Sequence, residues 1–331
     1  MSKPARDCLE WAVRYLLYPF VSGLTLAYLA HELSGPRSAL GRHYGIYLAA
    51  LLVFMIVIET THALRSDWRM TRATFLRRDL PFLVLGASTI AAANFAAARI
   101  VTAHAISPGS ALAGVPLVPG VIVSILVTDF LWYWLHRVSH EARGSIGGVL
   151  WRIHVAHHLP KQVYVLMHAI SHPINAVIVR AILTIPPYFM GFSPEVLFTT
   201  NVVIGLQGLV SHFNVDSRVG WLNYLLMGTE LHRYHHSANL AEAKNFGAMV
   251  SVWDQLFGTF VYRPGAAPAA LGIDDPAHYP ADTQLLSILL HPFKRPRDAF
   301  SKTSGRSISH RAADASAGTP RGSRTSTAKA P

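Results

Sequence analysis

The stretch that decides the fold of this chain is residues 115–140, which read VPLVPGVIVSILVTDFLWYWLHRVSH. Its apolar part is about as long as the 20 residues that cross a bilayer as a helix. It ends in His136 and His140, which are four positions apart and therefore share one helix face. Imidazole is the commonest metal-donating side chain at neutral pH. The stretch therefore predicts a membrane helix that carries metal-binding side chains at one end.

The rest of the composition also indicates a membrane protein. Of 331 residues, 51% are hydrophobic and only 14% are charged, whereas soluble domains carry about 25% charged residues. Pro116 and Pro119 interrupt the fourth apolar run, and Arg180 interrupts the fifth, so the predicted number of spans is four to six. For the fifth and sixth runs the alternative is a buried helix of a soluble protein. The predicted spans lie near residues 11–30, 44–61, 80–105, 115–135, 173–192 and 196–212.

Basic residues orient these spans. The segment 65–78 is rich in arginine, and the region that follows the fourth span is also basic, whereas the stretch 107–120 has no basic residue. The positive-inside bias therefore places the N-terminus and the histidine clusters in the cytoplasm, in an integral protein of the bacterial inner-membrane type. The predicted fold is an all-α polytopic membrane helical bundle with a cytoplasmic helical cap.

Four regions follow from these boundaries: N-terminal membrane helices (1–110), a catalytic region (111–262), a C-terminal extension (263–295) and a disordered basic tail (296–331). From Pro296 onward the chain has seven basic and two acidic residues, which supply +5 of the formal net charge of +11. The tail lacks apolar periodicity. No basic motif interleaved with aromatic residues is present, so we predict no nucleic-acid partner and expect anionic lipid headgroups to contact the basic loops.

Histidines are the residues of this sequence that most clearly indicate its chemistry. Besides His136 and His140, two segments share the pattern H-x-x-H-H, and one further histidine stands alone after the last apolar run. Such spacing puts two or three imidazoles on one helix turn, and three clusters in one membrane chain predict a polyhistidine metal site. The nine predicted metal ligands are His136, His140, His154, His157, His158, His212, His232, His235 and His236.

Several other residues are candidates for the metal site or its surroundings. Asp129 lies on one stripe with Tyr133 and His136, so we expect it to accept a hydrogen bond from a ligand ring, the alternative being a bond to a neighbouring helix. Glu141 is a possible oxygen donor. His168 and His172 are candidates for ligands, for partners of ligands or for residues of a substrate channel. Asn245 and Asp254 are candidates for partners of ligands, or alternatively for capping and turn residues.

Nine nitrogens exceed what one metal ion can bind, so the pattern predicts a binuclear site with four or five imidazoles per metal. The single cysteine, Cys8, excludes a cysteine-based zinc or iron–sulfur site. Imidazole suits zinc, copper, iron and nickel alike, so the spacing leaves the element open.

Residues 123–262 resemble the fatty acid hydroxylase (sterol desaturase) superfamily of membrane non-haem di-iron enzymes, in a bacterial-type member. The resemblance rests on Asp129-x-x-x-Tyr133-x-x-His136-Arg-x-x-His140, Leu150-Trp-Arg-x-His154-x-x-His157-His158, Ser211-His212-Phe-Asn, His232-Arg-Tyr-His235-His236-Ser, Asn245-Phe-Gly and Val252-Trp-Asp-Gln-Leu-Phe-Gly-Thr259. The order His140-Glu141 is similar to that in alkylglycerol monooxygenase, a more distant relative. Two features depart from the family: a Gly-rich piece, Gly144–Gly148, and Ile170, where many relatives have arginine.

The resemblance implies two iron ions as cofactors, O2 as co-substrate and a lipid substrate that enters from the bilayer. The product would be an alcohol or an alkene, or a cleaved ether lipid, and the substrate sterol-like, acyl, carotenoid or ether-lipid. No His-Pro-Gly-Gly haem motif occurs in the sequence, so the electrons are expected from a separate donor, a ferredoxin, cytochrome or reductase. Two alternatives stay open: a membrane metal-binding or transport protein, and an inactive relative that acts as a partner protein.

Overall fold

The computed structural model describes residues 2–104, 107–141 and 144–294, and the predicted tail from residue 296 lies outside these ranges. The described residues form helices, with three isolated β-bridges and no β-strand among them, so the predicted all-α class is confirmed. A short helix, Arg72–Thr74, and a π-helical turn, Phe75–Asp79, lead directly into α3. The main helices are α1 (Lys3–Ser34), α2 (Tyr44–Thr61), α3 (Leu80–Ala103), α4 (Leu117–Glu141), α5 (Gly144–His154), α6 (Pro173–Met190), α7 (Pro194–Ser211), α8 (Thr229–His235), α9 (Val252–Leu256) and α10 (Leu285–Leu290).

Five helices of the described chain are long and apolar enough to cross a membrane: α1, α2, α3 together with the turns from Ser66, α4 and α6. They coincide with the first five predicted spans and fall within the predicted number of four to six. The sixth predicted span forms α7, which is not among these five helices. It is as long as α6, but it buries the polar residues Thr199, Thr200 and Gln207.

Apolar side chains cover the outside of the spanning helices. Ile46 and Val53 of α2, and Val84 and Phe95 of α3, are more than half exposed. A continuous surface of this kind is unfavourable in water, whereas in a bilayer it contacts lipid tails. The chain is therefore an integral membrane protein.

α4 and α7 pack closely in the centre of the bundle. A side-chain carbon added at Gly120 of α4 would lie 2.8 Å from a methyl group of Val196 in α7. Glycine at this position lets the two backbones approach, as small residues commonly do between membrane helices. The contact fixes the direction of α4, whose far end carries His136 and His140.

Polar contacts connect the spanning helices to the segments that lie at the end of the bundle where α4 and α7 end. Arg14 of α1 forms an ion pair with Asp216 at 2.7 Å. The buried carboxylate of Glu59, in the last turn of α2, accepts hydrogen bonds from the backbone N–H groups of Val165 and Asn214, both at 2.8 Å. These contacts attach the segments 144–172 and 212–294, which we call the cap, to the spanning helices.

The Gly-rich departure from the family pattern is helical in this structure. Gly144–Gly148 forms the first turns of α5, with Gly144 at a φ of +67°, in the left-handed region that favours glycine. α5 runs directly from this piece to His154.

Candidate metal centre

All nine predicted metal ligands gather at the end of α4. They form two groups in which one ligand atom from each residue lies within 4.8 Å of the others. The groups draw on four separate segments of the chain, so the centre depends on the tertiary fold. The first group, called group 1, is His136, His140, His154, His158 and His235, and the second, called group 2, is His157, His212, His232 and His236.

Each H-x-x-H-H pattern contributes to both groups. The first and last histidines of the pattern are four residues apart and share a face, so His154 and His158 belong to group 1. The middle histidine, His157, points to group 2. In the other pattern the assignment is reversed, because His232 and His236 belong to group 2 and His235 to group 1. Each of the two patterns therefore supplies ligands to both groups, so the two groups must lie next to each other.

Backbone carbonyls orient four of the nine rings. The Nδ1–H of His136 donates to the carbonyl of Phe246 at 2.7 Å, and that of His235 donates to Lys244 at 3.0 Å. In group 2 the corresponding acceptors are Ile170 for His157, at 2.9 Å, and Gly208 for His212, at 2.8 Å. A ring that donates through Nδ1 presents the lone pair of Nε2, so these bonds fix which nitrogen can bind a metal.

The Nε2 atoms converge within each group. The separation is 2.9 Å between His136 and His154 and 3.0 Å between His212 and His232. Lone pairs at such distances repel one another unless a cation lies between them. A metal–nitrogen distance of about 2.1 Å places neighbouring ligand atoms about 3.0–3.4 Å apart, so the spacing fits one ion in each group. The Nε2 atom of His140 is buried and has no hydrogen-bond partner among the described residues, as expected of a ligand atom.

The seven predicted ligands that lie in the cap are held neutral. Burial lowers the pKa of all seven, to about 4 for His157 and well below the ordinary value for the others. Neighbouring imidazoles lower the pKa of the other six further, because a second positive charge nearby is unfavourable. Neutral rings are what metal binding requires, since a protonated imidazole has no free lone pair. The seven are His154, His157, His158, His212, His232, His235 and His236.

The loop 244–250 supplies two of the carbonyl acceptors and is shaped by Asn245. This buried residue has a φ of +61°, in the left-handed region, and asparagine adopts that conformation more readily than most residues. Its side chain donates to the carbonyls of Leu231 and Val261 and accepts from the N–H of Val261, each at 2.8 Å. The turn at Asn245 directs the carbonyls on either side of it toward group 1.

Two buried carboxylates hold the same loop. Asp254 accepts from the N–H groups of Phe246 and Gly247, at 2.7 and 2.9 Å. Asp129 of α4 accepts from the N–H groups of residues 248, 249 and 250, at 2.9, 2.7 and 3.4 Å. Burial raises the pKa of Asp254 to about 6. Asp129 was expected to accept from a ligand ring. Its carboxylate instead accepts from these backbone N–H groups, so it acts on His136 through the loop.

Replacing Gly247 by alanine should displace this loop. The added carbon would lie 2.2 Å from the carbonyl oxygen of Val250 and 3.2–3.3 Å from oxygens of Asp254 and Asp129. The backbone must move, so we expect a loss of about 1–3 kcal/mol of stability and a fall in bound metal, measured by thermal unfolding and elemental analysis. Gly148→Ala is the control, because its added carbon has no neighbour within 4 Å. Equal metal content in the two variants would show that the loop does not position group 1.

Three candidates lie outside both groups. Glu141 pairs with Arg137 at 3.0 Å, four residues earlier on α4. His172 is the N-cap of α6, where its Nδ1 accepts the N–H of Ile174 at 3.2 Å. The ring of His168 lies 5.4 Å from that of His212, between centroids, and packs against Gly208. His168 therefore borders group 2, whereas Glu141 and His172 have structural partners elsewhere.

Some contributors to the centre were missed in the sequence. Asn175 of α6 lies 3.4 Å from Nδ1 of His154 through its side-chain oxygen, and Glu59 anchors the segments that lead to His157 and His212. Glu59 could have been found, because a carboxylate in an otherwise uncharged apolar helix is costly and usually has a role. The carbonyl acceptors have no sequence signature.

Comparison with known proteins agrees with this geometry. Residues 121–259 match the model of the family described as fatty acid hydroxylase, and they lie within the predicted catalytic region 111–262. No solved structure matches the chain at a significant level. These matches confirm the family resemblance of the sequence: residues 121–259, less than half of the chain, are similar to the fatty acid hydroxylase family.

Named relatives add detail. Ornithine lipid hydroxylase of Rhizobium tropici is 34% identical over 159 residues, which are 48% of this chain and 46% of the relative. Human alkylglycerol monooxygenase is 27% identical over 145 residues, 41% of this chain and 29% of the relative. A fatty acid hydroxylase of a Lecanicillium species is 27% identical over 154 residues, 42% of this chain and 40% of the relative. The similarity thus spans less than half the length of each of these relatives.

Proposed function

We propose that this protein is an O2-dependent di-iron oxidoreductase that hydroxylates a C–H bond of a membrane lipid. The observation that carries the proposal is the division of nine imidazoles into groups of five and four, with converging Nε2 atoms, at one end of a membrane bundle. The relatives support the reaction class, because they are named as hydroxylases or monooxygenases, one of them for a lipid. Desaturation of the same C–H bond is the alternative outcome.

Two iron ions, when bound by these groups, would supply the reduction of O2 and the oxidation of the C–H bond. Hydroxylation consumes O2, two electrons and two protons, and yields an alcohol and water. The electrons are proposed to come from a separate ferredoxin, cytochrome or reductase. The proposed reaction needs a redox-active ion, which disfavours zinc. Iron is proposed over copper and nickel because the resemblance to membrane di-iron enzymes implies it.

The chain's own residues hold the donors in place and limit access of water. The carbonyls of Phe246 and Lys244 keep two rings of group 1 in one orientation, so little reorganisation is needed. The ring of Trp132 lies 4.7 Å from that of His136, and Trp151 lies 5.1 Å from His140, between centroids. These indoles form an apolar wall around group 1, which protects a reactive site from unwanted proton and water access.

A lipid can reach the centre without leaving the bilayer. Group 1 includes His136 on the spanning helix α4, and Asn175 on the spanning helix α6 contacts His154. The centre therefore borders two helices whose outer surfaces contact lipid. We propose entry of an acyl or similar chain from the side, and a cytoplasmic position for the cap, in agreement with its basic neighbouring segments.

A metal-transport function would require ligands near the middle of the spans. Only two of the nine histidines, His136 and His140, lie in a spanning helix, and both are in its last two turns. An inactive relative would lack ligands, yet both groups are complete. The position of the histidines therefore favours an enzyme at the membrane surface.

The proposal is tested by expressing the full chain in a bacterial host under isotopically heavy O2 and comparing the lipids by mass spectrometry. We expect two iron ions per chain by elemental analysis, and a lipid that has gained one heavy oxygen atom. A lipid that has lost two hydrogens and gained no oxygen would indicate desaturation. Two results would contradict the proposal. One is a purified chain that holds no iron. The other is a chain that holds iron although the source strain and a strain from which its gene has been deleted contain the same lipids.

A further inference from the structure

A third cluster of metal-binding side chains lies at the opposite end of the bundle. It consists of His31 and Glu32, in the last turn of α1, and His43, which immediately precedes α2. One ligand atom from each residue lies within 4.8 Å of the others. Because Arg14 of α1 contacts Asp216 beside the nine-histidine centre, the rise of a helix places His31 about 25 Å from that end.

Glu32 is a buried carboxylate with little positive charge around it. The residue is 5% exposed, and its carboxylate accepts from the N–H of Gly41 and from Nδ1–H of His43, both at 2.7 Å. Within the described chain its only ion-pair partner is His43, and no arginine or lysine pairs with it. Buried carboxylates in proteins are commonly paired with a cation or coordinate a metal ion, and a divalent cation bound here would compensate the charge of Glu32.

The loop between α1 and α2 is fixed in the shape that brings the cluster together. Gly41 has a φ of +80°, which directs its N–H to Glu32. A side-chain carbon at Gly41 would lie 3.2 Å from the ring of Phe198 in α7, so the loop is seated on that helix. Arg37 of the same loop pairs with Glu195 in the first turn of α7. The three ligands therefore need no large rearrangement to meet.

An unpartnered hydroxyl group belongs to the helix face of α1 that carries Glu32. Tyr28 is one helical turn before Glu32 and on the same face of α1. Its ring stacks on Tyr47 with centroids 4.1 Å apart, and its hydroxyl oxygen is buried without a hydrogen-bond partner among the described residues. Such a group can hydrogen-bond a water that completes the coordination of an ion held by three protein ligands.

We propose that His31, Glu32 and His43 bind a divalent transition metal ion, Zn²⁺ above all. Two imidazoles and one carboxylate, with water in a fourth position, are an established donor set for zinc. The ion would replace the hydrogen bond between His43 and Glu32 and link the end of α1 to the start of α2; the proton of His43 would then lie on Nε2, so that Nδ1 offers its lone pair to the ion. The site is separate from the nine-histidine centre and does not depend on the proposed oxygenase activity.

The test counts metals in the full-length, iron-loaded protein after incubation with Zn²⁺ and desalting. The double variant His31→Gln/His43→Gln should bind one zinc ion fewer per chain than the wild type, with at least about tenfold weaker affinity at this site. Its iron content should be unchanged. The control is His104→Gln, an exposed histidine that follows α3 at the same end of the bundle and belongs to no cluster; it should bind zinc as the wild type does.

Equal zinc in the wild type and the double variant would overturn the site. If the double variant loses iron as well, it is misfolded, and the single variant His31→Gln decides the matter because this side chain is exposed. Reduced zinc affinity with full iron content in that variant supports the site, and unchanged zinc affinity refutes it. Neither result bears on lipid hydroxylation, which is measured separately.

Discussion

Replacing His235 by alanine is expected to abolish iron binding in group 1 and to lower lipid turnover by at least about a thousandfold, which is about 4 kcal/mol of activation free energy. The Nε2 atom of His235 lies 3.1 Å from that of His158, and its Nδ1 donates to Lys244. Alanine removes a ligand and leaves the carbonyl of Lys244 without its donor. Iron content and product formation are measured on the same preparation.

The same replacement at His157 probes group 2 and should have the same effect on turnover, because the proposed reaction needs both ions. Iron should fall toward one ion per chain in each variant. His278→Ala serves as the control, since this exposed histidine pairs only with Asp275 on the surface. Full iron content together with full turnover in either ligand variant would refute the assignment of the groups.

The sequence could predict that the histidines of each cluster share a helix face, because their spacing is local. The pairs at i, i+4 share a helix face wherever the helix lies, and the apolar runs show where the spanning helices end. Four or five imidazoles per metal were predicted, but which histidine belongs to which group could not be. The assignment depends on how α5 and α8 are rotated relative to each other, which non-local packing decides.

Asp129 shows where the helical pattern misleads. It lies on the stripe of Tyr133 and His136, so a contact with a ligand ring is the natural expectation. The carboxylate instead accepts from the N–H groups of 248–250, a loop more than a hundred residues later. A helical stripe shows which side chains face the same way but gives no information about which segment packs against them.

The cluster of His31, Glu32 and His43 was missed for a related reason. Its residues have no helical spacing, and the loop that closes it depends on the left-handed Gly41 and on its contact with α7. The contact of Glu141, by contrast, could have been predicted from local spacing alone. Its pairing with Arg137 follows directly from i, i+4 spacing, which the sequence displays.

Replacing Asp129 by asparagine is expected to have the largest effect of any change outside the ligands. An amide offers one acceptor oxygen, and its NH2 group would face N–H groups that need an acceptor. A buried N–H group left without its acceptor costs about 1–3 kcal/mol. The loop would no longer hold the carbonyl of Phe246 against His136, so we expect lower thermal stability and reduced iron in group 1.

The measurements that separate loop displacement from general unfolding are iron content and helical circular dichroism at a temperature where the variant is folded. Full helicity with reduced iron supports the role of the loop, because the spanning helices do not depend on it. Asp275→Asn is the control, since that carboxylate is exposed and should change neither quantity. If Asp129→Asn keeps full iron and wild-type stability, the three N–H contacts do not hold His136 in place, and the orientation of its ring must come from its packing against Trp132.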